Sequence, residues 1–143
     1  MSGFAKHESG DLIGAIVDYS KAIEINSCYS DAYYKRGLAK AEMSDYEGAL
    51  ADYNEALECE EDDDNDDLYV SRGMANQALM KFEEAVEDFT AALEINKELG
   101  DAFFFRGLCY MHLDKIKEAL ADLKKAKKSG VAEASEFIKE LSI

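Results

Sequence analysis

The chain has 143 residues, 48% of them apolar, with no proline and only nine glycines. That composition excludes a disordered chain and leaves too little turn punctuation for an all-β fold. A formal net charge of −15, from 16 basic and 31 acidic residues, repels phosphate backbones and argues against nucleic acid as a partner.

Taken in chain order, the pattern predicts a series of helices. A short one precedes residue 9. Gly10 marks a turn and Asp11 a helix start, and Ile16, Tyr19 and Ile23 follow at i, i+3, i+7, so a helix is predicted over 11–25. Helices over 30–43, opened by Asp31, and over 46–60 come next, with Ser44-Asp45 as the turn between them and Leu50, Tyr53 and Leu57 repeating the spacing. The run EEDDDNDD, Glu60 to Asp67, reads as a solvated loop. A calcium loop of the EF-hand type starting at Asp62 would need glycine where Asp67 stands and glutamate where Gly73 stands. Helices over 67–79, 82–95, 100–112 and 116–128 follow, and a last one runs from Val131 to Leu141. Lys115, Lys117, Lys124, Lys125, Lys127 and Lys128 gather near the end against Glu118 and Asp122 alone. They are read as cations complementing a helix C-terminus.

These helices repeat. Glycine recurs at Gly3, Gly37, Gly73 and Gly107, in steps of 34, 36 and 34 residues. Alanine recurs at Ala15, Ala49, Ala85 and Ala119, and again at Ala22, Ala56, Ala92 and Ala126. Small residues at these places let two helices of a hairpin approach closely, with Tyr19, Tyr53, Phe89 and Leu123 expected to fill the gaps between units. An Arg precedes the glycine at Arg36, Arg72 and Arg106, and an Asp recurs at Asp18, Asp52, Asp88 and Asp122. This pairing reads as a structural ion pair repeated once per unit, with the arginine stem packed between helices.

In period and in these small residues the chain resembles the tetratricopeptide repeat family, whose unit is a 34-residue helix–turn–helix. The resemblance implies an all-α fold: a right-handed superhelical array of antiparallel helix hairpins closed by a C-terminal capping helix. The expected organisation is a single domain over 1–143. It comprises a partial repeat at 1–29, full repeats at 30–65, 66–99 and 100–130, and the cap at 131–143. The first repeat lacks most of its first helix, so residues 11–25 should have incomplete cover. Departures from the family pattern are visible. Ser27, Glu61 and Lys97 replace the closing proline, and Lys6, Lys40 and Asn76 stand where an aromatic is expected, leaving only Tyr110.

The resemblance also implies a function. First helices of such arrays line a groove that takes a peptide or a partner helix. Carried over by position, the groove here holds Phe4, Tyr34, Lys35, Leu38, Val70, Met74, Phe104, Phe105, Leu108 and Met111. His7, Glu8, Asp31, Ala41, Glu42, Asp67, Ser71, Gln77, Ala78, Asp101 and His112 stand beside them, and Phe103 is expected in the core. Relatives that clamp a carboxylate tail do so with several basic and amide side chains. The matching places hold Phe4, Lys35, Asp67 and Ser71, so that clamp is not expected. An apolar patch is a usual mark of an interaction site, and an amphipathic helix is its natural occupant. The expected function is a protein-binding adaptor, scaffold or co-chaperone-like module. Self-association into a homo-oligomer, or a regulatory segment of a larger enzyme, are the alternatives.

Nothing in the sequence points to catalysis. His7 and His112 are far apart and lie in no metal-binding spacing, and there is no CxxC, phosphate loop, GxGxxG or GxSxG. No cofactor or metal is expected. Cys109 and Cys59 take core positions, and Cys28 falls in a loop. An odd, sparse cysteine count argues against a disulfide scaffold and fits a reducing compartment. No segment approaches the roughly 18 apolar residues of a membrane span, and MSGFAKHESG has no signal pattern, so no membrane partner and a cytoplasmic location are expected.

Overall fold

Aspartate or asparagine ahead of an apolar-periodic run starts three of the helices. Asp11, Asp45 and Asn65 each accept a hydrogen bond from the backbone N–H three residues on, at Gly14, Gly48 and Leu68, so each satisfies one orphan donor of the first turn. In a computed structural model that describes residues 11–62 and 64–142, these starts open α1 (Leu12–Ile25), α3 (Tyr46–Cys59) and α4 (Asp66–Ala78). The other helices are α2 (Ser30–Glu42), α5 (Phe82–Ile95), α6 (Gly100–His112), α7 (Ile116–Lys128) and α8 (Ala134–Leu141). Every helix predicted from residue 11 onward is present, with ends displaced by at most three residues. The short helix predicted before residue 9 lies outside the described residues.

The hairpin turns end their first helices in one way. Asp45, Lys81 and Lys115 each donate their backbone N–H to the carbonyl five residues back, at Lys40, Asn76 and Tyr110, over 2.8–2.9 Å. The residue between, Ser44, Met80 or Asp114, takes a left-handed φ of 63°, 61° and 59° respectively. This closure satisfies the last carbonyls of each helix. Glycine is the usual residue there, and the sequence signals none at these three turns. At the end of α7 the same closure does use glycine: Gly130 has φ 104° and Val131 N–H donates to Ala126. Residues 131–133 complete that turn, which is why α8 starts at Ala134 rather than Val131.

The chain divides into two compact units, Met1–Asp63 and Asp64–Ile143. In the first, α1 packs on α2 and α2 on α3. In the second, α4, α5, α6, α7 and α8 pack each on the next, and α4 also touches α6. Among the described residues the fold is an all-α array of helical hairpins.

Small residues at the hairpin contacts set the spacing of each pair. Ala15, Ala49, Ala85 and Ala119 are fully buried. The recurrent glycines face a ring: a Cβ on Gly37 would lie 2.6 Å from Tyr53, and one on Gly73 would lie 2.8 Å from Phe89. These rings sit on the glycine of their own hairpin, and Phe89 also packs against Ala102, Cys109 and Phe105 of the following hairpin. At Gly107 the partner is Leu123, and a Cβ would lie 3.1 Å from it, still tight but admitted if the leucine shifts by a few tenths of an ångström. The final helix covers the last hairpin. Ala134 is buried with Leu123 and Ala126, and Val131, Phe137, Ile138 and Leu141 pack around them.

Candidate functional site

The first helices α2, α4 and α6 are held by a repeated buried ion pair. Arg36 donates through Nε and Nη2 to Asp52 at 2.9 and 2.7 Å. Arg72 donates to Asp88 at 2.9 and 2.6 Å, and Arg106 to Asp122 at 2.7 and 2.8 Å. All three carboxylates are buried. A buried carboxylate keeps its charge at tolerable cost only with a fixed partner. The ion pair expected in these units is observed, and each guanidinium also lies over the aromatic three residues earlier on its own helix, Tyr33, Tyr69 or Phe103, at 5.5–5.7 Å.

The pair reaches further than sequence spacing indicated. Arg36 Nη1 also donates to Ser20 on α1 at 3.1 Å, and Arg106 Nη1 to Thr90 on α5 at 3.0 Å. One arginine therefore ties three helices. The positions lacking the expected aromatic are used here too. Lys40 lies 3.1 Å from Asp52, and buried Asn76 donates to Asp88 at 2.9 Å. A hydroxyl at position 20 or 90 carries no pattern of its own, so no sequence signal marked it.

With the inner face fixed, the opposite face of each first helix turns outward. In the first unit Tyr34, Lys35 and Leu38 are each half-buried. The Tyr34 ring lies 5.9 Å from Tyr53, and Lys35 pairs with Asp31 at 3.2 Å. In the second unit Met74 is 45% exposed, and Leu108 is half-buried. Val70 and Phe105 lean into the core around Phe89, Leu93 and Cys109, with Phe105 5.9 Å from the Phe89 ring. Phe104 sits edge-on to Phe137 of α8 at 5.8 Å, and Met111 packs against the same cap. The predicted apolar row is thus only partly free: in this unit it leaves exposed Met74 and half-buried Leu108. Phe4 lies outside the described residues, as do His7 and Glu8.

A TPR repeat profile matches residues 3–44, and a tetratricopeptide repeat profile matches residues 30–63, 66–99 and 100–129. This chain belongs to the tetratricopeptide repeat family. The TPR fold is shared with a crystal structure of MamA, 19% identical, covering 97% of this chain and 91% of that one with TM-score 0.86. A structure of YrrB, described as a TPR protein with an unusual peptide-binding site, is 24% identical over 90% of this chain and 65% of that one, with TM-score 0.82. The Arabidopsis OM64 TPR domain is 28% identical over 78% and 93% respectively, with TM-score 0.74. No curated protein matches in sequence.

Three residues of the TPR chain have neighbours that the sequence did not indicate. Phe103 is half-buried: it packs at the edge of the core, and Arg106 and Lys125 approach its ring at 5.7 and 5.3 Å. Among the groove positions, exposed His112 stacks on Phe82 at 4.3 Å with the rings 3° from parallel. Cys59 is half-buried and bonded to exposed Cys28, with Cα atoms 5.3 Å apart. The odd count misled because the third cysteine, Cys109, is a separate core residue. The pairing removes the ground on which a reducing compartment was expected. Burial pushes the Cys109 thiol up to about 12, so it stays protonated and inert at neutral pH. Among the described residues no group of His, Cys, Asp and Glu is placed to hold a metal ion, and no helix is long and apolar enough to cross a membrane.

Proposed function

We propose that this TPR chain is an adaptor that binds an amphipathic helical segment of another protein on the outward faces of its first helices. The observation that carries the reading is the apolar pair of exposed Met74 and half-buried Leu108, on helices α4 and α6 of one unit, which touch each other. Methionine adapts its shape to a partner at little cost, and an apolar helix face is met by i, i+3, i+4 anchors. The flanking Asp67 and Asp101 are exposed, which favours a partner with basic residues beside its apolar stripe. A carboxylate-tail ligand fits poorly. A TPR of Spaghetti (RPAP3), 23% identical over 79% of this chain and 90% of that one with TM-score 0.74, was solved with the HSP90 peptide SRMEEVD. Here Lys35 is engaged by Asp31, and Asp67 brings negative charge.

The test is fluorescence anisotropy with a labelled amphipathic peptide carrying leucine at i, i+3, i+4, i+7 and lysine elsewhere, beside its shuffled, non-amphipathic isomer. The wild type should prefer the amphipathic peptide by at least about tenfold, near 1.4 kcal/mol. Met74→Lys with Leu108→Lys should remove that preference while circular dichroism stays unchanged. Phe104→Lys is the poorer probe, since Phe104 supports the cap through Phe137. Equal binding of both peptides, or full binding by the folded double variant, would overturn the reading.

A second reading, self-association, is favoured by one feature. Ile13 and Val17, one turn apart on α1, are 67% and 46% exposed. A concentration-dependent mass in light scattering that disappears with Ile13→Glu and Val17→Glu is the outcome it requires.

A further inference from the structure

The end of α7 meets the α5–α6 loop over a cavity of about 440 Å³, lined by Lys97, Phe103, Lys125, Lys128 and Ser129. All five belong to the second unit, and none is a member of the apolar row. The Lys125 ammonium is held 5.3 Å from the centre of the Phe103 ring, which keeps one cation at the cavity wall.

Lysines at a helix C-terminus have an ordinary explanation in the helix dipole. The sister hairpins weigh against it. α3 and α5 end with no basic residue in their last turn and are intact helices. In register on Gly37 and Gly107, the residues Lys97, Phe103, Lys125 and Lys128 correspond to Ser27, Tyr33, Glu55 and Glu58. In register on Gly73 and Gly107, Lys125 and Lys128 correspond to Ala91 and Glu94. The aromatic at the Phe103 position recurs as Tyr33 and Tyr69. The Lys125 position is basic also at Lys21 of the first unit, whereas the Lys128 position is Glu24, Glu58 and Glu94 in the other units, and the Lys97 position is Ser27 and Asp63. A repeat array does not need three cations at this place, and a chain of net charge −15 has gathered them here.

We infer that this cavity binds a phosphate monoester carried on a side chain of a partner protein, such as phosphoserine. The three lining lysines and the Ser129 hydroxyl can donate to a dianion with several oxygens, which a phosphate monoester supplies. The Phe103 face and the lysine stems give the carrying chain an apolar surface that free phosphate would leave unused. A polyanion is disfavoured. Its charges would extend beyond the roughly 8 Å over which the local cations act and meet the acidic remainder of the chain.

The test is NMR titration of the full chain with a short serine peptide, its phosphoserine form and inorganic phosphate. The phosphopeptide should bind saturably, shift the amides of Phe103 and of residues 125–129, and bind at least tenfold more tightly than the other two. Lys97→Gln, Lys125→Gln and Lys128→Gln together should weaken it at least tenfold. Lys128→Gln alone, at an exposed site, should weaken it about threefold and covers the case in which the triple variant misfolds. Lys115→Gln with Lys117→Gln, outside the cavity, should change nothing. Inorganic phosphate binding as tightly as the phosphopeptide, equal weakening by the Lys115 and Lys117 variant, or tighter capture of anionic lipid vesicles or a DNA oligonucleotide would each overturn the proposal.

Discussion

Asp88 shows how the buried ion pairs respond to pH. Burial raises its carboxyl above the ordinary 3.8, outweighing the downward pull of Arg72 and Asn76. The folded protein therefore keeps this proton to higher pH than the unfolded chain does. The stability tied to that protonation is fully present below the ordinary value and is lost as pH rises through the folded-state value. In urea melts the wild type should lose stability relative to Asp88→Asn as pH rises out of the acid range from about 3.5. A slope of opposite sign would mean that Arg72 dominates. Ala85 makes a second test at this scale. It has no exposed surface, so Ala85→Leu should overpack the hairpin at a cost of about 1–3 kcal/mol. An unchanged melting temperature would show that the α4–α5 contact is looser than its geometry implies.

At the scale of the element, the turns and the cysteine bridge were the least legible parts. Met80 occupies a left-handed turn position with 72% of its surface exposed. It buries little of its side chain and carries the steric cost of that conformation. Met80→Gly should therefore raise stability by about 0.5–1 kcal/mol in thermal melts, net of the extra backbone entropy of glycine. Turn glycines are the usual signal for such a closure, and none stands at Ser44, Met80 or Asp114; only the first of these turns is marked in the sequence, by Ser44-Asp45. The three residues are tolerated because the two hydrogen bonds closing each turn are made by the backbone. The bridge from Cys28 to Cys59 spans 31 residues and fastens the loop before α2 to the end of α3. Ser30 does the same non-covalently, its hydroxyl within reach of Ala56 C=O at 3.0 Å and the Glu60 carboxylate at 2.9 Å and donating its one proton to either. Closing a loop of that length stabilises by about 3–4 kcal/mol through chain entropy. Cys28→Ser with Cys59→Ser should lower the melting temperature, and reducing agent should lower the wild type's to match. Sequence spacing alone cannot pair two cysteines whose partnership depends on which loop a third helix brings alongside.

For the whole molecule, the repeat was legible because it is written in residues that cannot be exchanged freely. A Cβ at Gly37 or Gly73 would meet a ring, and the alanines have no room to grow. Two recurrent letters, Arg and Asp, likewise foretold contacts observed at Arg36–Asp52, Arg72–Asp88 and Arg106–Asp122. The candidate site was legible only as a list of positions. Which positions the cap and the core would claim depended on packing, and Phe104, Phe105 and Met111 proved to be shared with those neighbours. The remaining surface rests on Met74 and Leu108. The most direct measurement of the central claim is hydrogen exchange on the chain with an amphipathic helical ligand selected from a random peptide library. The account predicts added protection concentrated in the amides of α4 and α6, absent with Met74→Lys and Leu108→Lys. Protection confined to other helices, or unchanged protection in that variant, would contradict it.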